Sequence, residues 1–190
     1  YNPKEEVFIT VGGSEAIDVA IRAMADPGDE VIIPEPCYVS YVPCAKLAGA
    51  VPVTIPLKEE NEFRLTAAEL EAAITEKSKI LILAFPNNPT GAIMERADLE
   101  AVAKVCIEHD LLVISDEIYS ELTYTGNDHV TIAQIPGMQE RTILINGFSK
   151  AYAMTGWRLG YACGPEAIIK QMTKIHQFAI MCAPTTSQYA

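Results

Sequence analysis

Asn146-Gly147-Phe148-Ser149-Lys150-Ala151-Tyr152-Ala153-Met154-Thr155-Gly156-Trp157-Arg158-Leu159-Gly160-Tyr161 follows the apolar run Thr142 to Ile145 and carries one lysine among small and hydroxylated neighbours. Such a run reads as a buried strand. A lysine just past its end can form a Schiff base when its amine is held near a carbonyl carbon and partly desolvated. Most lysines are solvated surface charges, so the reading of Lys150 depends on what the rest of the chain brings beside it.

Moving toward the N-terminus, Leu111 to Ile114 is another buried strand, ending in Ser115-Asp116-Glu117-Ile118-Tyr119. Lys79 to Phe85 is continuously apolar but for its first residue, as expected of a strand covered on both faces, and stops at the stiff turn Pro86-Asn87-Asn88-Pro89-Thr90-Gly91. Val51 to Ile55 and Glu30 to Pro34 read as strands, the latter leading through Pro36-Cys37-Tyr38 into an Ala-containing helix that ends near Ala48. Val7 to Val11 is the first strand. Gly12-Gly13-Ser14 then opens a helix with Ala16, Ile17, Ala20, Ile21 and Met24 at helical spacing, and Ser14 is expected as its N-cap. Thr66 and Glu69 have capping-box spacing, and Ala97 to His109 is amphipathic. Beyond the lysine segment, Leu159 to Cys163 is a last strand. Glu166 to Ala179 is a helix with Ile168, Ile169, Met172, Ile175 and His176 facing inward.

Seven strands alternating with helices predict an α/β fold, a three-layer α/β/α domain whose seven-stranded sheet is mostly parallel with right-handed crossovers. Gly13-Ser14, Asn88, Asp116 and Lys150 each follow a strand, so they should gather at the carboxyl edge, where open α/β sheets bind ligands. Together they offer a helix N-terminus for phosphate, an amide, a carboxylate and an amine, with Tyr38 and Tyr119 as aromatic neighbours. That set suits a phosphorylated pyridine aldehyde. It does not suit a nicotinamide or a nucleoside triphosphate, because neither Gly-x-Gly-x-x-Gly nor Gly-Lys-Ser/Thr follows a strand.

Composition narrows the partners. The formal charge of -11 without basic runs speaks against nucleic acid and anionic membranes, and 49% hydrophobic residues speak against disorder. Five scattered cysteines lack metal or disulfide spacing, and the three histidines sit apart, so no metal is expected and the histidines read as structural or exposed. With no signal-peptide pattern and no apolar run near the ~20 residues that span a bilayer, a cytoplasmic location is expected.

Gly147-Phe148-Ser149-Lys150 with Gly156-Trp157-Arg158-Leu159-Gly160 resembles the lysine signature of the class I and II aminotransferases, fold type I enzymes dependent on pyridoxal 5'-phosphate. Asn88-Pro89-Thr90-Gly91 and Asp116-Glu117-Ile118-Tyr119 are similar to two further signatures of that family, and the likeness extends over essentially all 190 residues. The resemblance implies amino transfer between an amino acid and a 2-oxo acid, in amino-acid metabolism. Lys150 would carry the Schiff base and move the substrate's proton, and Asp116 would hold the ring nitrogen protonated. Asn88 and Tyr119 would bond the ring hydroxyl, Tyr38 would stack on the ring, and Gly13, Ser14, Ser149 and Arg158 would cradle the phosphate. Many relatives have serine where this chain has Gly147, so somewhat different phosphate contacts are expected.

The resemblance further implies that residues 1–190 are the cofactor-binding large domain of a homodimeric enzyme. An N-terminal arm and a C-terminal small domain would lie outside it, and this piece would be inactive alone. A chain that starts at Tyr1 and stops without a helix stop signal reads as cut at both ends. Two other readings stay open: a carbon-sulfur β-lyase on the same fold, and the cofactor-sensing domain of a transcription regulator.

Overall fold

The computed structural model describes residues 1–190. Strands β1 (Val7–Thr10), β2 (Glu30–Glu35), β3 (Val51–Pro56), β4 (Ser78–Ala84), β5 (Leu112–Asp116), β6 (Thr142–Gly147) and β7 (Gly160–Cys163) form one sheet in the order β1-β7-β6-β5-β4-β2-β3. The run from β3 to β6 is parallel, and β7 is antiparallel to both β6 and β1. Helices α1 (Gly12–Met24), α2 (Tyr41–Leu47), α3 (Ala67–Ala73), α4 (Arg96–Glu108), α5 (Glu166–Ala179) and α6 (Thr185–Tyr189) complete the chain. None is long and apolar enough to cross a membrane.

The period-two geometry of strands explains the two cores. Ile80 and Ile82 of β4 join Ile33 of β2 and Ile114 of β5 on one face, where α1, α2 and α5 add Ile17, Ala45 and Met172. Leu81 and Leu83 point the other way, with Ile32 and Val113, against Leu70 of α3 and Leu99 and Val102 of α4. Burying one such aliphatic side chain contributes about 1.5–3 kcal/mol, so the central strands must be apolar on both faces. The α3 helix starts with the capping box read from the sequence: the Glu69 N–H donates to Thr66 Oγ1 at 3.2 Å, and Glu69 Oε2 accepts the Thr66 N–H, also at 3.2 Å.

At α1 the structure corrects the reading. Helix α1 begins at Gly12, with Val11 in the cap position, so Ser14 lies inside the first turn and is not the N-cap. Gly12 adopts φ +72°, which lets the chain turn directly off β1, and the Glu15 carboxylate accepts the Val11 N–H at 2.5 Å in place of a capping serine.

The antiparallel β7 has a consequence for the lysine segment. Residues 148–159 become a hairpin connection, closed by Gly147 paired with Gly160, and both its ends sit at the carboxyl edge of β6. Gly160 also pairs with Thr10 at the end of β1. A β-carbon on Gly160 would lie 2.7 Å from both Gly12 C and Gly13 N, so only glycine lets the hairpin meet the start of α1. Gly160→Ala is expected to cost about 1–3 kcal/mol, as overpacking of a tight contact does, read as a lower denaturation midpoint.

Candidate active site

Each candidate residue reaches the same place by a different route. Asn88 follows β4, Asp116 ends β5 with Tyr119 three residues on, and Ser149, Lys150 and Arg158 belong to the hairpin after β6. Gly13 and Ser14 come from the first turn of α1, and Tyr38 from the link between β2 and α2. All of them line one cavity of about 230 Å³ at the carboxyl edge of the sheet.

Asp116 forms one pole of that cavity. It is buried, its Oδ2 accepts the Tyr41 phenol at 2.8 Å and its Oδ1 accepts the Ile118 N–H at 3.2 Å. Burial pushes its carboxyl above the usual range, while the bonds from Tyr41 and Ile118 pull it back. Asp116 makes no ion pair with a protein cation, and a buried carboxylate in that position is matched by a ligand that brings its own positive charge.

The other pole suits an anion. The first turn of α1 has N–H groups without helical partners and the positive end of the helix dipole. The Arg158 guanidinium packs against it: a β-carbon on Gly12 would lie 2.3 Å from Nη2. Arg158 itself takes φ +53°, and its guanidinium is aimed by two carbonyls, Nη1 donating to Thr155 O at 3.0 Å and Nη2 to Val11 O at 3.4 Å. Ser14 Oγ lies 3.5 Å from the Tyr38 hydroxyl.

Lys150 Nζ lies 5.5 Å from the centre of the Tyr119 ring. The residue is exposed, so the partial desolvation expected of its amine is not present in this chain; it stands at the mouth of the cavity, with the hairpin backbone braced behind it by Ala153 N–H to Lys150 O at 3.1 Å. Cys37, one residue before Tyr38, offers no competing nucleophile, because burial pushes its thiol up to about 11. No group of three or more His, Cys, Asp or Glu side chains is placed to hold a metal ion.

Gly147 has a packing reason. A β-carbon there would stand 3.0 Å from Gly160 Cα and from Leu159 O, and 3.3 Å from Ile118 Cδ1, so a serine would need its neighbours to shift by a few tenths of an ångström.

Several residues that build the site escaped sequence reasoning. Tyr41, three residues after Tyr38, is 3% exposed and its phenol reaches the carboxylate 75 positions later. Asn87 is the buried half of the asparagine pair: its amide donates to Pro36 O at 3.2 Å and its oxygen accepts from Thr90 Oγ1 at 2.8 Å, holding the turn that offers Asn88. Glu117 is buried beside Asp116 and accepts from Ser115 and Thr131, with His129 Nε2 at 2.8 Å, tying down the segment that follows Tyr119. His129 and His176 are thus structural, as read, yet nothing in their spacing pointed to Glu117 or Glu15 as partners. For Tyr41 the one available signal was its helical offset from Tyr38.

Tyr41→Phe is expected to leave the fold intact and to move the Asp116 carboxyl further up, since the bond that opposes burial is lost. A single hydrogen bond to a charged group corresponds to roughly a tenfold effect or somewhat more. The check is a carboxyl-carbon NMR titration of Asp116 in parent and variant, with the midpoint displaced to higher pH in the variant.

Comparison with known proteins places this geometry. A family model described as aminotransferase class I and II matches residues 1–190. The chain is 47% identical to an aspartate aminotransferase of Pyrococcus abyssi, over 100% of the chain and 49% of that protein. It is 46% identical to aromatic-amino-acid aminotransferase 2 of Thermococcus litoralis, again over 100% of the chain and 49% of the relative. The solved aromatic aminotransferase from Pyrococcus horikoshii superposes with a TM-score of 0.96 at 46% identity, covering 99% of this chain and 50% of that one. The chain spans about half the length of the curated relatives it matches.

Proposed function

The chain belongs to the class I and II aminotransferases, and on that premise we propose that the full-length protein moves an amino group between an amino acid and a 2-oxo acid, with pyridoxal phosphate held in the cavity described above. The observation that carries the reading is the cavity's polarity. A buried carboxylate, Asp116, stands at one pole, the Arg158 guanidinium and the free N–H groups of α1 at the other, and the Lys150 amine on the same lining. A planar ligand with a cationic ring nitrogen and a phosphate suits both poles at once.

In this reading each side chain has a task set by its chemistry. Asp116, as an ionised carboxylate, accepts the ring N–H and so keeps that proton in place. The Asn88 amide and Tyr119 phenol donate to the ring hydroxyl, and Tyr38 lies against the ring face. Gly13, Ser14, Ser149 and Arg158 hold the phosphate. Lys150 would hold the cofactor's aldehyde carbon through Nζ, and its amine, when free, would be the base that carries the substrate's α-proton. The bound cofactor supplies an electron sink for the charge left when the α-proton departs.

The remaining parts of the reading concern the protein beyond this cavity. Residues 1–190 serve as the cofactor-binding large domain of a longer polypeptide, supported by relatives about twice as long. Activity is accordingly proposed for that full-length protein, as a cytoplasmic homodimer without nucleic-acid or membrane partners, and not for residues 1–190 alone. Product analysis tests the reaction. The full-length protein, given a panel of amino acids with 2-oxoglutarate, should form the matching 2-oxo acid and glutamate in equal amounts; pyruvate with ammonia from a cysteine conjugate, and no glutamate, would establish the β-lyase alternative in its place.

A further inference from the structure

Half-buried Glu15 and buried His176 form a pair that no step above uses. Their side chains are 15% and 7% exposed, and Glu15 Oε1 lies 2.6 Å from His176 Nδ1, joining the first turn of α1 to the end of α5. A carboxylate only accepts, so Nδ1 carries the proton between them. Phe8 closes the other side of the imidazole, edge to face at 4.9 Å. The second carboxylate oxygen of Glu15 accepts the Val11 N–H at 2.5 Å. The Val11 carbonyl in turn accepts Arg158 Nη2 at 3.4 Å. The two peptide groups flanking the Val11 α-carbon are therefore held from different sides, one by Glu15 and one by the arginine of the anion pole.

From this continuity we propose that Glu15 and His176 are a positioning pair for the anion cradle: His176 orients the Glu15 carboxylate, Glu15 fixes the β1-to-α1 turn at Val11, and the fixed turn aligns both the free N–H groups of α1 and the Arg158 guanidinium. The alternative for a strand-to-helix turn through Gly12 at φ +72° is freedom, since glycine restrains nothing. Neither Glu15 nor His176 lines the cavity, so any effect they have on a ligand passes through that backbone. The proposal rests on the assignment of the cradle to a phosphate group.

The experiment compares two ligands that differ only in the phosphate. Affinities of the full-length protein for pyridoxal phosphate and for pyridoxal are measured in the parent, Glu15→Ala, His176→Phe and Glu15→Gln. Glu15→Ala and His176→Phe are expected to weaken pyridoxal phosphate about five- to tenfold, the worth of one well-made hydrogen bond, with pyridoxal changed less than about twofold. Glu15→Gln, which keeps an acceptor for the Val11 N–H, should recover most of the loss. Equal weakening of both ligands, or of neither, overturns the pair's role. A parent that binds pyridoxal phosphate no better than pyridoxal overturns the cradle assignment instead. Where Glu15→Ala does not fold, His176→Phe carries the comparison, since it keeps an aromatic ring against Phe8.

Discussion

Lys150→Ala is expected to remove the proposed amino transfer from the full-length protein and, with it, the covalent hold on the cofactor. The expected fall in kcat is at least about 10³-fold, because in the proposed reaction one amine is both nucleophile toward the aldehyde and proton carrier at the α-carbon. Borohydride reduction of the parent with pyridoxal phosphate should fix the label on Lys150, and peptide mass spectrometry reads the site. Lys170 and Lys174 are the internal controls. Both lie on α5 outside the cavity, Lys170 paired with Glu166 at 2.5 Å and Lys174 bonded to Gln171 at 3.1 Å. Label on either, or a Lys150→Ala variant that still turns over at the parent rate, refutes the assignment of Lys150.

Asp116→Asn should separate activity from stability. The amide is isosteric and can keep both protein contacts, accepting the Ile118 N–H through its oxygen and donating to the Tyr41 oxygen through its nitrogen. What it cannot do is stabilise a protonated ring nitrogen with a full negative charge. Losing one such oriented charge lowers kcat by about 10²–10³-fold. The ligand-free protein should respond in the opposite sense. Burial raises the Asp116 carboxyl above its unfolded value, so proton binding favours the folded state: that contribution is complete below the ordinary carboxylate range and is lost as pH rises through the raised value. At neutral pH that contribution is lost, so the buried carboxyl, which makes no ion pair with a protein cation, costs stability, and Asp116→Asn removes the cost. Its melting temperature without cofactor should exceed the parent's by roughly 2–4 °C for each kcal/mol relieved. Added pyridoxal phosphate should then stabilise the parent more than the variant. A variant less stable than the parent at neutral pH, or one that transaminates at the parent rate, would contradict the role given to this carboxylate.

These two effects share an origin. A buried carboxylate with no ion pair, as Asp116 is, departs locally from the rule that buried charges are paired, and such departures concentrate where ligands bind. The neighbouring Glu117 is the contrast: equally buried, it is satisfied inside the protein by Ser115, His129 and Thr131, and so belongs to the architecture of the segment after Tyr119.

Most of the scaffold was legible because it is written in local periodicity. Lys79 to Phe85 and Leu111 to Ile114 had to be strands covered twice, since apolar side chains alternate faces and every residue was apolar after the first. The carboxyl-edge rule then placed Asn88, Asp116 and Lys150 together without any knowledge of the packing. The Ser14 cap failed for a local reason that periodicity does not record: Gly12 at φ +72° started the helix three residues early, and Glu15 took the orphan N–H.

By itself, then, the sequence determined the layer architecture and the gathering of Gly13, Ser14, Asn88, Asp116 and Lys150 at one sheet edge, because these follow from side-chain spacing along single elements; the family resemblance added Ser149 and Arg158. Only the tertiary structure decided what stands behind them. Tyr41 on Asp116, Arg158 on Val11 and His176 on Glu15 join residues 75, 147 and 161 positions apart. Their partnership comes from the order in which strands are laid side by side, with β7 inserted antiparallel between β1 and β6. Hydrogen bonds reach about 3 Å and carry no trace along the chain, so a donor and acceptor that far apart in sequence become a pair only when the sheet has closed.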